Sequence, residues 1–155
     1  MFEAIIPKVT TLTTVLAVLS LSACSMFGGD VSDPLDDLRE QVRSTVRDID
    51  RADAMLVSLD QLDQLLIESA KLVAEVARQE RVLFANYDST PQDFQAILSD
   101  ASRERQKLQK AMLEVHLEFK AKATPEEWRS ILPVHASAIS TRIESLVIAA
   151  QAGRG

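Results

Sequence analysis

The sequence predicts an all-α protein: a long N-terminal helix with two or three shorter helices that fold back on it as an antiparallel helical bundle. Two observations lead to this fold class. No proline occurs between Pro34 and Pro91, and no glycine between Gly29 and Gly153, so a long interval lacks the residues that break helices. Through this interval apolar residues recur every three or four positions, the period of a helix with one buried face.

The first 23 residues have the pattern of an export signal. Residues 9–21 are uncharged and mostly apolar, which is too short to span a bilayer comfortably but typical of a secretory signal. The run ends in Leu21-Ser22-Ala23-Cys24. These four residues resemble the lipobox of bacterial lipoproteins, and the resemblance implies cleavage before Cys24 and covalent attachment of lipid to its sulfur. The alternative is an ordinary secretory signal, or a short N-terminal anchor, that contains a cysteine.

The lipobox resemblance also implies a location. Cys24 is the only cysteine, and a lone thiol would be a liability in an oxidising export compartment unless it is modified. Two or three acyl chains on one residue hold a protein on a membrane far more firmly than a single chain. Ser25 after the cysteine resembles the outer-membrane default of such lipoproteins. We expect a periplasm-facing, lipid-anchored protein with no cofactor besides the lipid on Cys24.

The charge of the chain limits its partners. The net charge is −6, and it is unchanged by the expected cleavage, which removes one lysine and one glutamate. An acidic surface argues against nucleic acid and against electrostatic attachment to anionic lipid. The expected partners are therefore the membrane, through the lipid anchor, and another protein.

Residues 24–33 are predicted to form a lipidated tether and residues 34–150 a helical domain. Asp33 and Pro34 have the residue types of an N-cap and a first helical position. The first helix would run from there to Tyr87, with a bend near residues 47–54 left open. Its predicted buried stripe is Leu35, Leu38, Val42, Val46, Ile49, Ala52, Leu56, Leu59, Leu62, Leu66, Ala70, Val73 and Val76.

Two further helices follow the turn at residues 86–91. The second is predicted from Pro91 to Lys122, and the third from Pro125 to Ala150, with residues 151–155 as a frayed tail. Pro133 predicts a kink or break near Leu132, because proline removes a helical hydrogen bond. The first helix is longer than either partner, which leaves part of its apolar stripe uncovered and predicts self-association or a protein partner.

Two ten-residue stretches are nearly identical: "STPQDFQAIL" begins at Ser89 and "ATPEEWRSIL" at Ala123. Each has a threonine at the N-cap, an acid three positions later and then an aromatic residue: Thr90, Asp93 and Phe94 in the first copy, and Thr124, Glu127 and Trp128 in the second. This spacing is a capping box. The repeat predicts two helix starts that direct aromatic side chains into one shared core, with the second box the better of the two.

The same repeat resembles the paired LTxxQ motifs of small helical periplasmic proteins of the Spy/CpxP-like chaperone and heavy-metal-resistance group. The threonine and proline match, whereas the leading leucine is Ser89 or Ala123 and the final glutamine is Asp93 or Glu127. The resemblance implies an antiparallel helical dimer whose surface holds unfolded clients, or senses envelope stress, without ATP.

Metal ligands are few. Met112 and His116 lie one helical turn apart in "MLEVH" and form a weak candidate site, which His135 or a carboxylate from another helix would have to complete. The alternative is that both histidines lie on half-exposed helix faces.

The chain has no motif for enzyme chemistry. No glycine-rich phosphate loop, second cysteine, nucleophile elbow or zinc-protease motif is present in the sequence, so an enzyme is not predicted. We expect a chaperone-like protein or envelope-stress adaptor that acts through protein interaction. The alternatives are a structural envelope spacer or oligomeric scaffold and, with less support, a periplasmic metal sensor.

Overall fold

The computed structural model describes residues 33–152; the predicted signal peptide, Cys24 and the tether up to Ser32 lie outside the described residues. Within residues 33–152 the chain forms four helices and no strand, which confirms the all-α prediction. The helices are α1 (Asp36–Thr45), α2 (Ile49–Ala85), α3 (Pro91–Ala121) and α4 (Pro125–Ala152).

A turn precedes the first helix. The Oδ1 atom of Asp33 accepts a hydrogen bond from the N–H of Leu35 at 3.0 Å, and its carbonyl accepts one from the N–H of Asp36 at 2.9 Å. Such side-chain to backbone bonds stabilise a turn. The α-helix therefore begins at Asp36, and the prediction that Pro34 is its first residue was wrong by two positions.

The chain turns back between α1 and α2. Val46 and Asp48 have extended backbone conformations, and the Asp48 side chain accepts a hydrogen bond from the N–H of Arg51 as the N-cap of α2. The sequence left open a bend in one helix near residues 47–54; the structure instead has two separate helices there. Ile49, which was expected on the buried stripe, is 74% exposed because α2 starts here in a new orientation. The long helix of the bundle is α2, with 37 residues.

The helices pack as a bundle around the first half of α2. The helices α2 and α3 form an antiparallel hairpin, and both α1 and α4 pack on α2 and on each other. The core comprises ten buried apolar residues: Leu35, Leu38, Val42, Val46, Ala52, Met55, Leu59, Phe119, Ile131 and Ala138. All four helices or their flanking residues contribute to it, so the four segments fold as one unit.

Helix α4 runs parallel to α2. Near its start, Glu127 pairs with Arg51 of α2, and two-thirds of the way along it, Arg142 pairs with Asp63. The latter pair is bidentate, with Nε–Oδ1 and Nη2–Oδ2 distances of 2.6 and 3.0 Å. These two pairs fix the register of α4 along α2.

Helix α4 continues without interruption through Pro133. Of the two alternatives expected near Leu132, the break was therefore wrong, and the kink stays a prediction. Proline lacks the N–H that would bond to the carbonyl of Arg129. Ile131 on one side of it is fully buried and His135 on the other side is 7% exposed. Packing of both flanks in the core keeps the helix intact, since tertiary contacts provide most helical stability in proteins.

Helix α4 is also the one helix of the described residues that is long and apolar enough to cross a membrane. The qualifying stretch is Pro125–Ala150, with a mean hydropathy of 1.2. In the bundle this helix places Ile131 and Ala138 in the core and pairs Arg142 with Asp63. Part of the apolar surface of α4 is therefore buried against α1 and α2.

Candidate functional site

The end of the α2–α3 hairpin is not covered by the rest of the bundle. Between Leu66 in α2 and Ala101 in α3 no residue is buried. We call residues 67–100 the distal hairpin. Large apolar side chains are exposed there: Val82 is 58%, Phe84 77% and Leu98 52% exposed. Two helices alone cannot cover both of their apolar faces, so this surface is available to a further helix or chain segment.

An aromatic contact joins the two helices of the distal hairpin at its tip. The rings of Phe84 and Phe94 lie with their centroids 4.8 Å apart, a distance typical of favourable aromatic pairs. Phe94 was expected to share one core with Trp128, and that prediction was wrong. The 31 residues of α3 separate the two helix starts by about 46 Å, so each aromatic residue packs at its own end of the bundle.

Both copies of the repeat cap a helix. At the first copy, the Asp93 carboxylate accepts hydrogen bonds from the N–H and the hydroxyl of Thr90, both at 2.8 Å. These bonds lower the pKa of Asp93. At the second copy the bonds are reciprocal: Glu127 accepts from the N–H of Thr124 at 2.8 Å, and the Thr124 hydroxyl accepts from the N–H of Glu127 at 3.2 Å. The capping role predicted for the repeat is therefore present at both helix starts.

The second cap has an additional partner in α2. Arg51 donates to both carboxylate oxygens of Glu127, at 2.8 and 3.0 Å, and to the carbonyl of Lys122 at 3.0 Å. The guanidinium of Arg51, followed by the N–H of Thr124, lowers the pKa of Glu127 to about 2. One acid thus caps α4 and attaches it to the start of α2.

Four rings meet where the end of α3 faces the first half of α4. This ring cluster consists of His116, Phe119, Trp128 and His135, and the centroid distances among them range from 5.0 to 6.2 Å. Lys120 lies over the Trp128 ring, with Nζ 5.8 Å from the centroid. Trp128 is partly buried against the core, as expected for an aromatic residue in the first turn of a capped helix.

The two histidines are neighbours within the ring cluster, at 5.0 Å between centroids. His135 is buried, and its Nε2 atom has no hydrogen-bond partner among the described residues. Burial, followed by the proximity of His116, lowers the pKa of His135 to about 4. The neutral form of His135 is therefore the form that the core accommodates at neutral pH.

The candidate metal ligands are only partly brought together. His116 and His135 are adjacent, whereas Met112 lies among residues that line a separate groove. In residues 33–152 no group of three or more histidine, cysteine, aspartate or glutamate side chains is arranged to hold a metal ion. Metal binding at His116 and Met112 stays a prediction.

An open groove lies between α2, α3 and the last part of α4, next to the distal hairpin. We call it the apolar groove; its volume is about 560 Å³. Nine aliphatic, alanine or methionine side chains and three polar ones line it: Leu66, Ser69, Ala70, Leu72, Val73, Arg105, Gln109, Met112, Ile143, Leu146, Val147 and Ala150. Arg105 is its only charged residue.

Comparison with protein-family models, with curated proteins and with solved structures finds no match to this chain. Functional residues are therefore identified by their positions in the structure.

Sequence reasoning missed Arg105 and the apolar groove. Arg105 stands in a strongly charged stretch, "SDASRERQKLQK", in which no single cation is distinguished by its neighbours in sequence. The uncovered apolar stripe of the first long helix was the one signal that pointed to this region, and it predicted a partner rather than a groove.

Proposed function

We propose that this chain is a lipid-anchored, periplasm-facing helical lipoprotein of the outer membrane that acts by binding apolar segments of other proteins. It would work as a chaperone-like protein or as an adaptor in the response to envelope stress. The observation that supports the proposal is the distal hairpin, where residues 67–100 form two helices without one buried side chain.

The occupant proposed for the distal hairpin is an amphipathic or extended apolar segment with basic side chains beside it. Apolar side chains such as Val82, Phe84 and Leu98 offer contacts to the apolar face of such a segment. The distal hairpin also carries six acidic and three basic side chains. The net negative charge of the distal hairpin favours a basic partner, because complementary charges speed and orient association.

Client binding can be tested with the chain from Ser25 onward, which keeps every described contact and omits the lipid. Its helical content would first be checked by circular dichroism. At equal molar ratio it should slow the aggregation of reduced lysozyme, a basic client, more than that of reduced α-lactalbumin, an acidic one. Failure to slow either client would rule out the chaperone-like function.

The role of the distal hairpin can be tested with a matched pair of variants. Val82→Ser combined with Leu98→Ser should weaken client protection and leave the unfolding temperature nearly unchanged, because both side chains are more than half exposed. Leu113 and Leu117 are 57% and 53% exposed on the other half of α3, and changing both to serine is the control. Equal loss in the two double variants would contradict a specific role of the distal hairpin.

An oligomeric scaffold is the second candidate function. The uncovered face of the distal hairpin could be buried against the same face of a second copy, giving a four-helix arrangement. Sedimentation of the Ser25–Gly155 chain separates the candidates: a concentration-dependent dimer that dissociates when Val82 and Leu98 are both changed to serine supports the scaffold. A monomer at high concentration excludes it and leaves the client-binding function in place.

The lipid anchor needs its own test. Mass spectrometry of the native protein should find an N-terminal Cys24 carrying diacylglycerol and an acyl chain on its amino group. An unmodified thiol, or an N-terminus at another residue, would exclude the anchor and the outer-membrane location.

A further inference from the structure

We propose that the apolar groove binds a single-chain amphiphile with an anionic head group, its acyl chain lying along the groove and its head group on Arg105. The groove shares residues 69–73 of α2 with the distal hairpin, but it contains none of the exposed side chains proposed to contact a client, Val82, Phe84 and Leu98. The proposal therefore goes beyond client binding. The occupant is defined by the chemistry of the groove's walls.

The size of the apolar groove suits one acyl chain. Its volume of about 560 Å³ lies within the ~300–1,000 Å³ of typical small-molecule sites. On each helix the lining residues span eight positions, from Leu66 to Val73, from Arg105 to Met112 and from Ile143 to Ala150. Each span is about 10 Å of helix, so the three helices line the groove over equal lengths.

The chemistry of the walls selects an aliphatic ligand. Leucine, isoleucine, valine, alanine and methionine side chains provide most of the lining, and no aromatic residue is among them. A flat ring would therefore lack a stacking partner, whereas a flexible chain can contact all three helices. Val73, Ile143 and Val147 are each close to half exposed, so covering them with an acyl chain removes apolar area from water.

Charge at the groove selects an anionic head group. The other basic residues of the middle of α3 are paired within the helix: Arg103 with Asp100, Lys107 with Glu104, and Lys110 with Glu114. Arg105 takes part in none of the ion pairs formed among residues 33–152. No acid lines the groove to oppose an anion, and a guanidinium binds carboxylate and phosphate with two parallel hydrogen bonds.

Binding can be measured directly on the Ser25–Gly155 chain, which lacks the protein's own lipid. The probes are dodecanoate, a dodecanoyl lysophosphatidylglycerol and a dodecanoyl lysophosphatidylcholine, each below its micelle concentration and followed by calorimetry. Binding of dodecanoate identifies a free fatty acid as sufficient, and binding of the lysophosphatidylglycerol alone identifies a lipid head group. Either result supports the proposal if the zwitterionic lysophosphatidylcholine binds about tenfold more weakly.

The variant Arg105→Gln tests the head-group contact and Arg103→Gln is its matched control, since Arg103 is exposed on the same helix and already paired with Asp100. Loss of a charge-assisted hydrogen bond predicts a rise in Kd of about tenfold for Arg105→Gln and none for Arg103→Gln. Equal affinity of parent and Arg105→Gln for the anionic probes would overturn the proposal, as would the absence of binding by any probe.

Wall contacts provide the second test. Val147→Glu places an acid in the groove at a position that is 48% exposed, so the bundle should keep its unfolding temperature while it loses the amphiphile. Client protection by the distal hairpin is measured on the same variant without amphiphile present. If Val147→Glu still protects the client and still binds the amphiphile, the amphiphile proposal fails and client binding stands. If the parent protein binds the amphiphile but does not protect the client, client binding fails and the amphiphile proposal stands.

Discussion

Arg51 and Glu127 join three helix ends in one contact. They are 76 positions apart in the sequence, and the guanidinium donates to both carboxylate oxygens and to the carbonyl of Lys122. The start of α2, the end of α3 and the start of α4 are thereby connected. Because Glu127 also caps α4, a single acid both starts the last helix and positions it against the bundle.

The variant Glu127→Gln should lower the temperature of unfolding, because it removes the charge that pairs with Arg51 and stabilises the positive end of α4. The control is Glu126→Gln, a 73% exposed neighbour whose one ion pair within residues 33–152 is with Arg129, and it should unfold near the parent temperature. Equal unfolding temperatures of the two variants, measured by circular dichroism, would contradict the role given to Glu127.

Acid should weaken the same contact. The pKa of Glu127 is about 2 in the fold and 4.5 in its ordinary state, so the unfolded chain binds the proton more readily. The stabilisation is therefore complete above pH 4.5 and is lost as the pH falls from 4.5 through 2. In Glu127→Gln this part of the pH dependence of unfolding should be absent, as measured by urea titrations across that range.

His135 predicts an earlier loss of stability in acid. Its pKa is about 4 in the core, against 6.5 in its ordinary state, so protonation favours the unfolded chain. Its neutral form contributes fully above pH 6.5, and stability falls as the pH is lowered from 6.5 to 4, by at most about 3 kcal/mol. Urea titrations followed by the fluorescence of Trp128, the only tryptophan, would measure this decrease.

Two histidine variants separate the causes of this decrease. His135→Phe keeps a ring in the cluster and should remove the pH dependence between 6.5 and 4. His116→Gln should keep most of it, because burial is the larger cause of the lowered pKa and the proximity of His116 the smaller one. A pH dependence that vanishes in His116→Gln and persists in His135→Phe would show that the assignment is wrong.

The boundaries of α3 could be predicted because their signals are local. The second helix was predicted from Pro91 to Lys122, and α3 spans Pro91–Ala121, since a threonine cap followed by proline fixes the start independently of the rest of the fold. The break before α2 was left open although Asp48 is a good N-cap residue. The apolar period continues across it, at Val46 and Ile49, and hides the change of direction.

Periodicity could not predict which helix packs against the apolar face of which other helix. A stripe shows that a helix has a buried face and leaves open which helix covers it. Phe94 and Trp128 occupy equal positions in the repeat, but Phe94 packs with Phe84 at the tip of the hairpin and Trp128 packs with Phe119 near the core. Arg105 likewise differs from Arg103 only in what lies next to it in space.

The ion pair between Asp63 and Arg142 should contribute measurably to stability. Their side chains are 11% and 20% exposed, so the pair is intermediate between a surface and a buried one. We expect Arg142→Met to lower the free energy of unfolding by about 1–2 kcal/mol, because it leaves Asp63 in a nearly dry site. Urea titration at pH 7 would measure it.

The double variant Asp63→Leu with Arg142→Met is the control for that prediction. Replacing both partners by apolar residues removes the unpaired charge, so the double variant should be more stable than Arg142→Met alone. The single variant Asp63→Leu completes the cycle. If the loss of unfolding free energy in the double variant equals the sum of the losses in Asp63→Leu and Arg142→Met, the two residues do not interact energetically.

Hydrogen exchange should divide the α2–α3 hairpin into two parts. The first half of α2 contains Met55 and Leu59, which are at most 1% exposed, whereas residues 67–100 contain no buried side chain. Regions with few buried apolar contacts open at lower free energy. Amides of the distal hairpin should therefore exchange faster than those of residues 52–62, as measured by mass spectrometry, and a bound client should slow exchange in the distal hairpin. Uniform exchange along α2 would contradict the division.

Pro133 should reduce the stability of α4. The position lies inside the helix, where proline removes a hydrogen bond and costs about 3 kcal/mol relative to alanine. Part of this cost is offset because proline also restricts the unfolded chain, so Pro133→Ala should raise the free energy of unfolding by about 1–2 kcal/mol. The control is Pro125→Ala at the first position of the same helix, where no hydrogen bond is missing and no gain is expected. A gain at Pro125 equal to that at Pro133 would contradict the role given to the missing hydrogen bond, because freeing the unfolded chain lowers stability at both positions.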